Sequence, residues 1–132
     1  MKTINAIVEK TNTGYSAYID YNGAVAASTV GDSMDELKEG LNESLALFIE
    51  VCDEDEIDVS ELKDVNIELK LDVKQLFKQY NTLNVSGFAV YAGINRSLLG
   101  QYVIGLKTPS EKQSRKIIDN IEKLGKEYLS MA

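Results

Sequence analysis

The pattern of hydrophobic positions along this chain changes period once. Up to about residue 72, short segments alternate apolar and polar positions around one helical stretch; beyond it the apolar positions recur at helical spacing. Residues 3–9 alternate, with Ile4, Ala6 and Val8 on one face, and residues 15–20 set Tyr15, Ala17 and Ile19 against Ser16, Tyr18 and Asp20. The polar loop Lys10-Thr11-Asn12-Thr13-Gly14 joins them, so the pair is a predicted β-hairpin. After a turn at Tyr21-Asn22-Gly23, residues 24–30 form a third, alanine-rich strand. Ser33 and Glu36 then stand at the spacing of a capping box, and Leu37, Leu41, Leu45, Phe48, Ile49 and Cys52 make one apolar helical stripe. The acidic residues 53–64 are a predicted loop with room for one short helical turn. A fourth strand follows, with Val65, Ile67, Leu69 and Leu71 inward and Asn66, Glu68, Lys70 and Asp72 outward. The order β-β-β-α-β implies one small sheet covered on one face by the helix.

The rest of the chain is predicted to be all helix. Val73, Leu76, Phe77 and Tyr80 define a first amphipathic helix, residues 86–92 a short second and residues 95–104 a third. Pro109, the only proline, precedes a long last helix with Ile117, Ile118, Ile121, Leu124, Tyr128 and Leu129 on one side. The expected organisation is therefore α+β in two small domains, 1–72 and 73–132, with no long linker.

The most informative stretch runs from Phe88 to Tyr102. Two helices that cross steeply need a small residue at the crossing, which Ala89 supplies, and a residue tolerant of positive φ in the turn, which Gly93 supplies. Ile94 and Leu99 would plug the shared core, and Asn95 is a good N-cap. That leaves Arg96, Ser97, Gly100 and Gln101 outside. These residues, with the later Gly105-Leu106-Lys107-Thr108-Pro109-Ser110, resemble the Xre/lambda-repressor-like helix-turn-helix family over roughly residues 73–121. The resemblance implies DNA binding, with Asn95 capping the recognition helix, Arg96, Ser97, Leu98 and Gln101 at base-facing positions, and Lys107 and Thr108 near the phosphates. Three positions depart from that family's pattern: Val103 and Ile104 are apolar where charge is usual, Gly87 replaces a longer polar residue, and Gly100 lies inside the third helix.

Charge sharpens the division. Residues 1–72 hold five Lys against seventeen Asp and Glu, net −12, whereas residues 73–132 hold nine Lys and Arg against four acids, net +5. The overall −7 therefore hides a basic half suited to a phosphate backbone and an acidic half suited to a basic protein. In the acidic half, Gly14-Tyr15-Ser16-Ala17-Tyr18 and Gly31-Asp32-Ser33-Met34-Asp35-Glu36 resemble the HicB antitoxin family, although Asp20-Tyr21-Asn22-Gly23 stands where that family commonly has a Leu-Pro-Gly segment. The resemblance implies a partial RNase H-like first domain that covers a small basic RNA-cleaving toxin of the HicA kind. It also implies a second domain that represses the operon at its operator DNA. Tyr15, Tyr18 and Asp20 are the candidate toxin contacts, with packing inside the small sheet the competing role for the tyrosines. A homodimer or higher homo-oligomer is expected, because one helix-turn-helix reads few base pairs; Ile117, Ile121, Leu124 and Tyr128 could supply the contact, or could pack on the first helix of their own domain.

Several classes are disfavoured. The chain has no histidine, and its one cysteine, Cys52, has no base to activate it, so no enzyme is expected. Asp20, Asp32 and Glu36 could be offered as ligands of a nuclease magnesium, but Glu36 already has a role as a cap partner. No metal or cofactor is expected. No apolar run spans a membrane, the N-terminus is strand-like rather than a signal peptide, and a lone cysteine fits the cytoplasm. The other readings are a stand-alone transcription regulator whose first domain senses a ligand, and an interaction protein that never touches DNA.

Overall fold

The computed structural model describes residues 1–132. The chain is α+β and divides into two compact units, Met1–Lys70 and Leu71–Ala132, two residues upstream of the expected junction. No helix is long and apolar enough to cross a membrane.

The first unit follows the predicted order: β1 (Lys2–Lys10), β2 (Tyr15–Tyr21), β3 (Ala24–Gly31), α1 (Met34–Glu54), a 3-10 turn at Ser60–Leu62 and β4 (Val65–Leu71). The strands form one sheet in the order β3-β2-β1-β4, with β1–β2 and β2–β3 antiparallel. The turn between β2 and β3 puts Asn22 at φ 51° and Gly23 at φ 80°. Two left-handed residues in succession suit a tight hairpin because they match the twist of the strands. A register shift between Ile19 and Asp20 bulges the same hairpin.

Alternation decides which side chains meet α1. Ala6, Val8, Tyr15, Ala17, Ile19, Ile67 and Leu69 are buried on one face of the sheet, and α1 turns Met34, Leu37, Leu41, Leu45 and Cys52 into the same core. Each leucine so buried contributes about 1.5–3 kcal/mol. The Ser33 hydroxyl accepts from the Glu36 N–H at 3.2 Å, and the Glu36 carboxylate accepts from the Asp32 N–H at 2.8 Å. The box therefore closes one residue further back than its usual form, on Asp32 instead of the cap residue itself.

The sequence pattern did not single out Gly40. It lies inside α1 where a Cβ would overlap the Thr29 side chain of β3. Nearby, the Ser28 N–H donates to Ser44 Oγ at 3.1 Å, so a side chain of α1 covers part of the outer edge of β3. A glycine in mid-helix costs about 0.5–1 kcal/mol, and here that cost is what lets helix and strand approach.

The second unit consists of α2 (Val73–Gln79), α3 (Val85–Ala92), α4 (Arg96–Val103) and α5 (Glu111–Ser130). Its core holds Val73, Leu76, Phe77, Phe88, Ala89, Ile94, Leu99, Tyr102, Ile117 and Ile118, with the Phe77 and Phe88 rings edge-to-face at 5.9 Å. Every helix has a side-chain N-cap, from Asp72, Asn84, Asn95 and Ser110 in turn. Ser114 is fully buried among these apolar groups, and its hydroxyl accepts from the Leu71 N–H at 3.0 Å.

Two substitutions test this packing. Gly40→Ala should destabilise the protein by about 1–3 kcal/mol through overpacking, and adding Thr29→Ala should recover most of the loss in urea unfolding; an unaltered midpoint for Gly40→Ala would refute the close contact. Ser114→Ala should cost about 1–3 kcal/mol, because it strands a buried backbone donor. Calorimetric melting would register this, and a neutral result would mean that the Leu71 amide has another partner.

Candidate nucleic-acid interface

The candidate interface is centred on the turn between α3 and α4. Gly93 ends α3 in the left-handed region at φ 68°, its N–H reaching the Val90 carbonyl at 3.3 Å while the Ile94 N–H reaches the Ala89 carbonyl at 2.9 Å. These bonds satisfy carbonyls that the helix end would otherwise leave open. Ala89 is 1% exposed at the crossing, and Ile94 and Leu99 are buried beneath it, as the sequence predicts. The Asn95 side chain then accepts from the Leu98 N–H at 3.0 Å and starts α4. The Lys116 ammonium of α5 donates to the Gly93 carbonyl at 3.0 Å, which fixes the turn from outside the motif.

Gly87, one of the three departures from the family pattern, has a local cause. The Asn84 side chain accepts from the Gly87 N–H at 2.7 Å, and a Cβ at Gly87 would stand 3.2 Å from that same oxygen. Gly100 has open space around its missing Cβ, so no packing contact requires it.

Of the candidate DNA-contacting residues, Asn95, Arg96 and Ser97 are exposed together at the N-terminus of α4, and Leu98 is half-buried beside them. Gln101 is only half-exposed, and its Oε1 is buried without a hydrogen-bond partner. An amide that pairs with adenine uses both its oxygen and its nitrogen, so Gln101 has to turn outward to read a base. Lys107 and Thr108 are exposed in the loop after α4, where Gly105 takes φ 81° and Pro109 is buried. Lys74, Lys78 and Lys112 are further exposed cations of this unit. The apolar Ile104 and Leu106 flank Gly105 and are 66% and 68% exposed.

The candidate toxin contacts separate. Tyr15 faces α1 and is 9% exposed, with the Lys10 ammonium 5.2 Å from its ring centre, so its ring belongs to the core. Tyr18 and Asp20 lie on the opposite face of the sheet, Tyr18 half-buried between Ile7 of β1 and Ser28 of β3, Asp20 exposed. Of the three candidates, only these two share a surface.

Three acidic or phenolic groups are perturbed. Burial, and then the nearby Glu61 carboxylate, push the Tyr21 phenol up. Backbone and side-chain hydrogen bonds from Ser60 hold the Asp58 carboxyl below its usual value. Burial, and then the nearby Glu127 carboxylate, push the Tyr91 phenol up. No three His, Cys, Asp or Glu side chains are grouped so as to hold a metal ion.

No protein-family model, curated protein or solved structure matches the chain.

Gly93→Ala places a Cβ in a left-handed backbone and should cost about 1–2 kcal/mol. Since the strain lies at the turn, the α4 amides should exchange with deuterium faster than those of α1. Equal protection in both helices, with an unchanged melting point, would show that the turn does not need glycine.

Proposed function

We propose that the second unit is a helix-turn-helix that binds duplex DNA, and that the first is a HicB-like antitoxin domain that neutralises a small basic RNA-cleaving partner. The observation that carries the DNA reading is the capped turn Ala89–Gly93–Asn95 with Arg96 and Ser97 exposed where α4 begins. A helix N-terminus presented in this way can enter a major groove, and its free N–H groups and positive dipole end favour a phosphate. The basic balance of this half of the chain supports the same reading, since each phosphate neutralised by Lys or Arg releases counterions. Lys107 serves affinity in this scheme and Arg96 serves sequence choice.

The antitoxin reading rests on the two HicB-like motifs, the β-β-β-α-β order that the partial RNase H-like fold requires, and the acidity of residues 1–72. Tyr18 and Asp20 share one face of the sheet, where a tyrosine offers apolar area and a carboxylate offers charge to a basic protein. Such a protein would be inhibited by being covered, a function that needs no catalytic group on this chain. Transcription of the operon would be controlled through the second unit.

Fluorescence anisotropy on duplex DNA from upstream of the protein's own gene tests the first half. Arg96→Ala should weaken specific binding by about 1–3 kcal/mol, whereas Lys107→Ala should weaken all sequences alike and lower the salt slope by about 0.9. Absence of binding even at low salt would sink the DNA reading. For the second half, the tagged full chain is recovered from its own cells and its partners are identified. A small basic protein encoded next door should co-purify, and should be lost with Tyr18→Ala and Asp20→Lys combined. Operator DNA recovered without any such protein would leave a repressor and end the antitoxin reading.

A further inference from the structure

Lys116 is an exposed cation on α5, and nothing in the sequence around it marks it out. Its ammonium nevertheless donates to the Gly93 carbonyl at 3.0 Å. It also stands 3.9 Å from where a Cβ of Gly93 would be, against the side that the glycine leaves open. The carbonyl that it holds is a sensitive point. Only Ile94 separates Gly93 from Asn95, which caps α4, and Arg96 follows at once. Ile94 is buried in close-packed surroundings and has little room to absorb a movement. A shift of the Gly93 peptide therefore passes on to the exposed Arg96 and Ser97. The same carbonyl lies at the C-terminal end of α3, where the helix dipole is negative and a cation is favourable.

Other cations of α5 are engaged differently. Arg115 pairs with Glu111 at 3.2 Å and Lys126 with Glu122 at 3.3 Å, both within the helix. Seven residues beyond Lys116, about two turns along the same face, the Lys123 ammonium lies 5.5 Å from the centre of the Tyr91 ring. α5 thus holds the last turn of α3 at two points, Tyr91 and Gly93. A lysine suits the second point, because its long stem spans the gap between helices and its donors rotate to meet a carbonyl.

We infer that Lys116 is a positioning residue: its bond to the Gly93 carbonyl sets where the N-terminal end of α4 stands, and it acts through the turn instead of touching a phosphate. That this end meets duplex DNA rests on the DNA reading of the second unit; the positioning itself does not. The two roles open to an exposed lysine here differ measurably. A phosphate contact strengthens binding to every sequence and steepens its salt dependence, whereas a positioning bond strengthens only the sequence-specific part.

Amide hydrogen exchange on the full-length protein tests this, with fluorescence anisotropy on duplex DNA from upstream of its own gene as the second measurement. Lys116→Met keeps the stem and removes the donor. The Leu98 and Leu99 amides, which bond back to Asn95, should then exchange roughly two- to fivefold faster. Lys116→Arg keeps a donor and should restore most of the protection, while Lys112→Met removes a cation from the same helix and should leave exchange in α4 unchanged. On DNA, Lys116→Met should weaken the specific duplex by a similar factor, and leave both a scrambled duplex and the salt slope as they are. Unaltered exchange in Lys116→Met, or equal acceleration throughout the second unit, would overturn the inference whether or not the protein binds DNA. So would a loss common to every sequence with the salt slope lowered by about 0.9, the signature of a phosphate contact. Faster exchange confined to the start of α4, in a protein that binds no duplex even at low salt, would uphold the positioning and end the DNA reading, so the two failures are distinguishable.

Discussion

The left-handed turn at Gly93 is the constraint on which the second unit depends. A residue with a Cβ is strained at φ 68°, and without that turn α3 could not end where it does. Everything that aims α4 follows from it. Ala89 lets the helices cross closely, Ile94 and Leu99 fill the space beneath, and Asn95 restarts the chain as helix. The Lys116 ammonium on the Gly93 carbonyl links α5 to the same few atoms. The exposed Arg96 and Ser97 are thus held by a scaffold of buried neighbours rather than by a free loop.

A comparable economy of space governs the first unit. The sheet contributes Ala17, Ala27, Thr29 and Gly31 where α1 descends on β2 and β3, and α1 contributes Gly40. Small residues on both sides bring helix and strand close enough for Ser44 to accept from the Ser28 amide. The larger Ile67 and Leu69 come from β4 at the other edge of the sheet. With the helix committed to one face, alternation along β2 leaves Tyr18 and Asp20 on the other. The charge imbalance of the chain has its structural counterpart here: an acidic sheet-and-helix unit and a basic helical unit, each with its own core.

The two units use polar groups inside those cores sparingly. Ser114 satisfies the Leu71 amide, whereas the Gln101 oxygen is buried without a partner. An unsatisfied oxygen costs about 1–3 kcal/mol. Tyr91 lines the groove beside Leu124 and Tyr128, next to the Lys123 ammonium at 5.5 Å from its ring centre.

The sequence by itself determined element type and order, because period-two and helical repeats of apolar residues are local properties of the chain. It also determined the caps at Ser33 and Asn95 and the turn at Gly93, since each depends on a few consecutive residues and a backbone conformation that only certain side chains favour. Tertiary structure decided what depends on residues distant in sequence. Gly40 meets Thr29, Ser114 meets Leu71, and Tyr15 turns inward while Tyr18 turns outward; only the last was legible in advance, as a strand's two faces. The inward turn of Gln101 was not legible, because a helix position fixes where a side chain starts but its rotamer is set by neighbours. Nor was the point at which α5 leaves its core: the apolar stripe from Ile117 to Leu129 is continuous in sequence, and only the length of the helices packed against it divides buried from exposed.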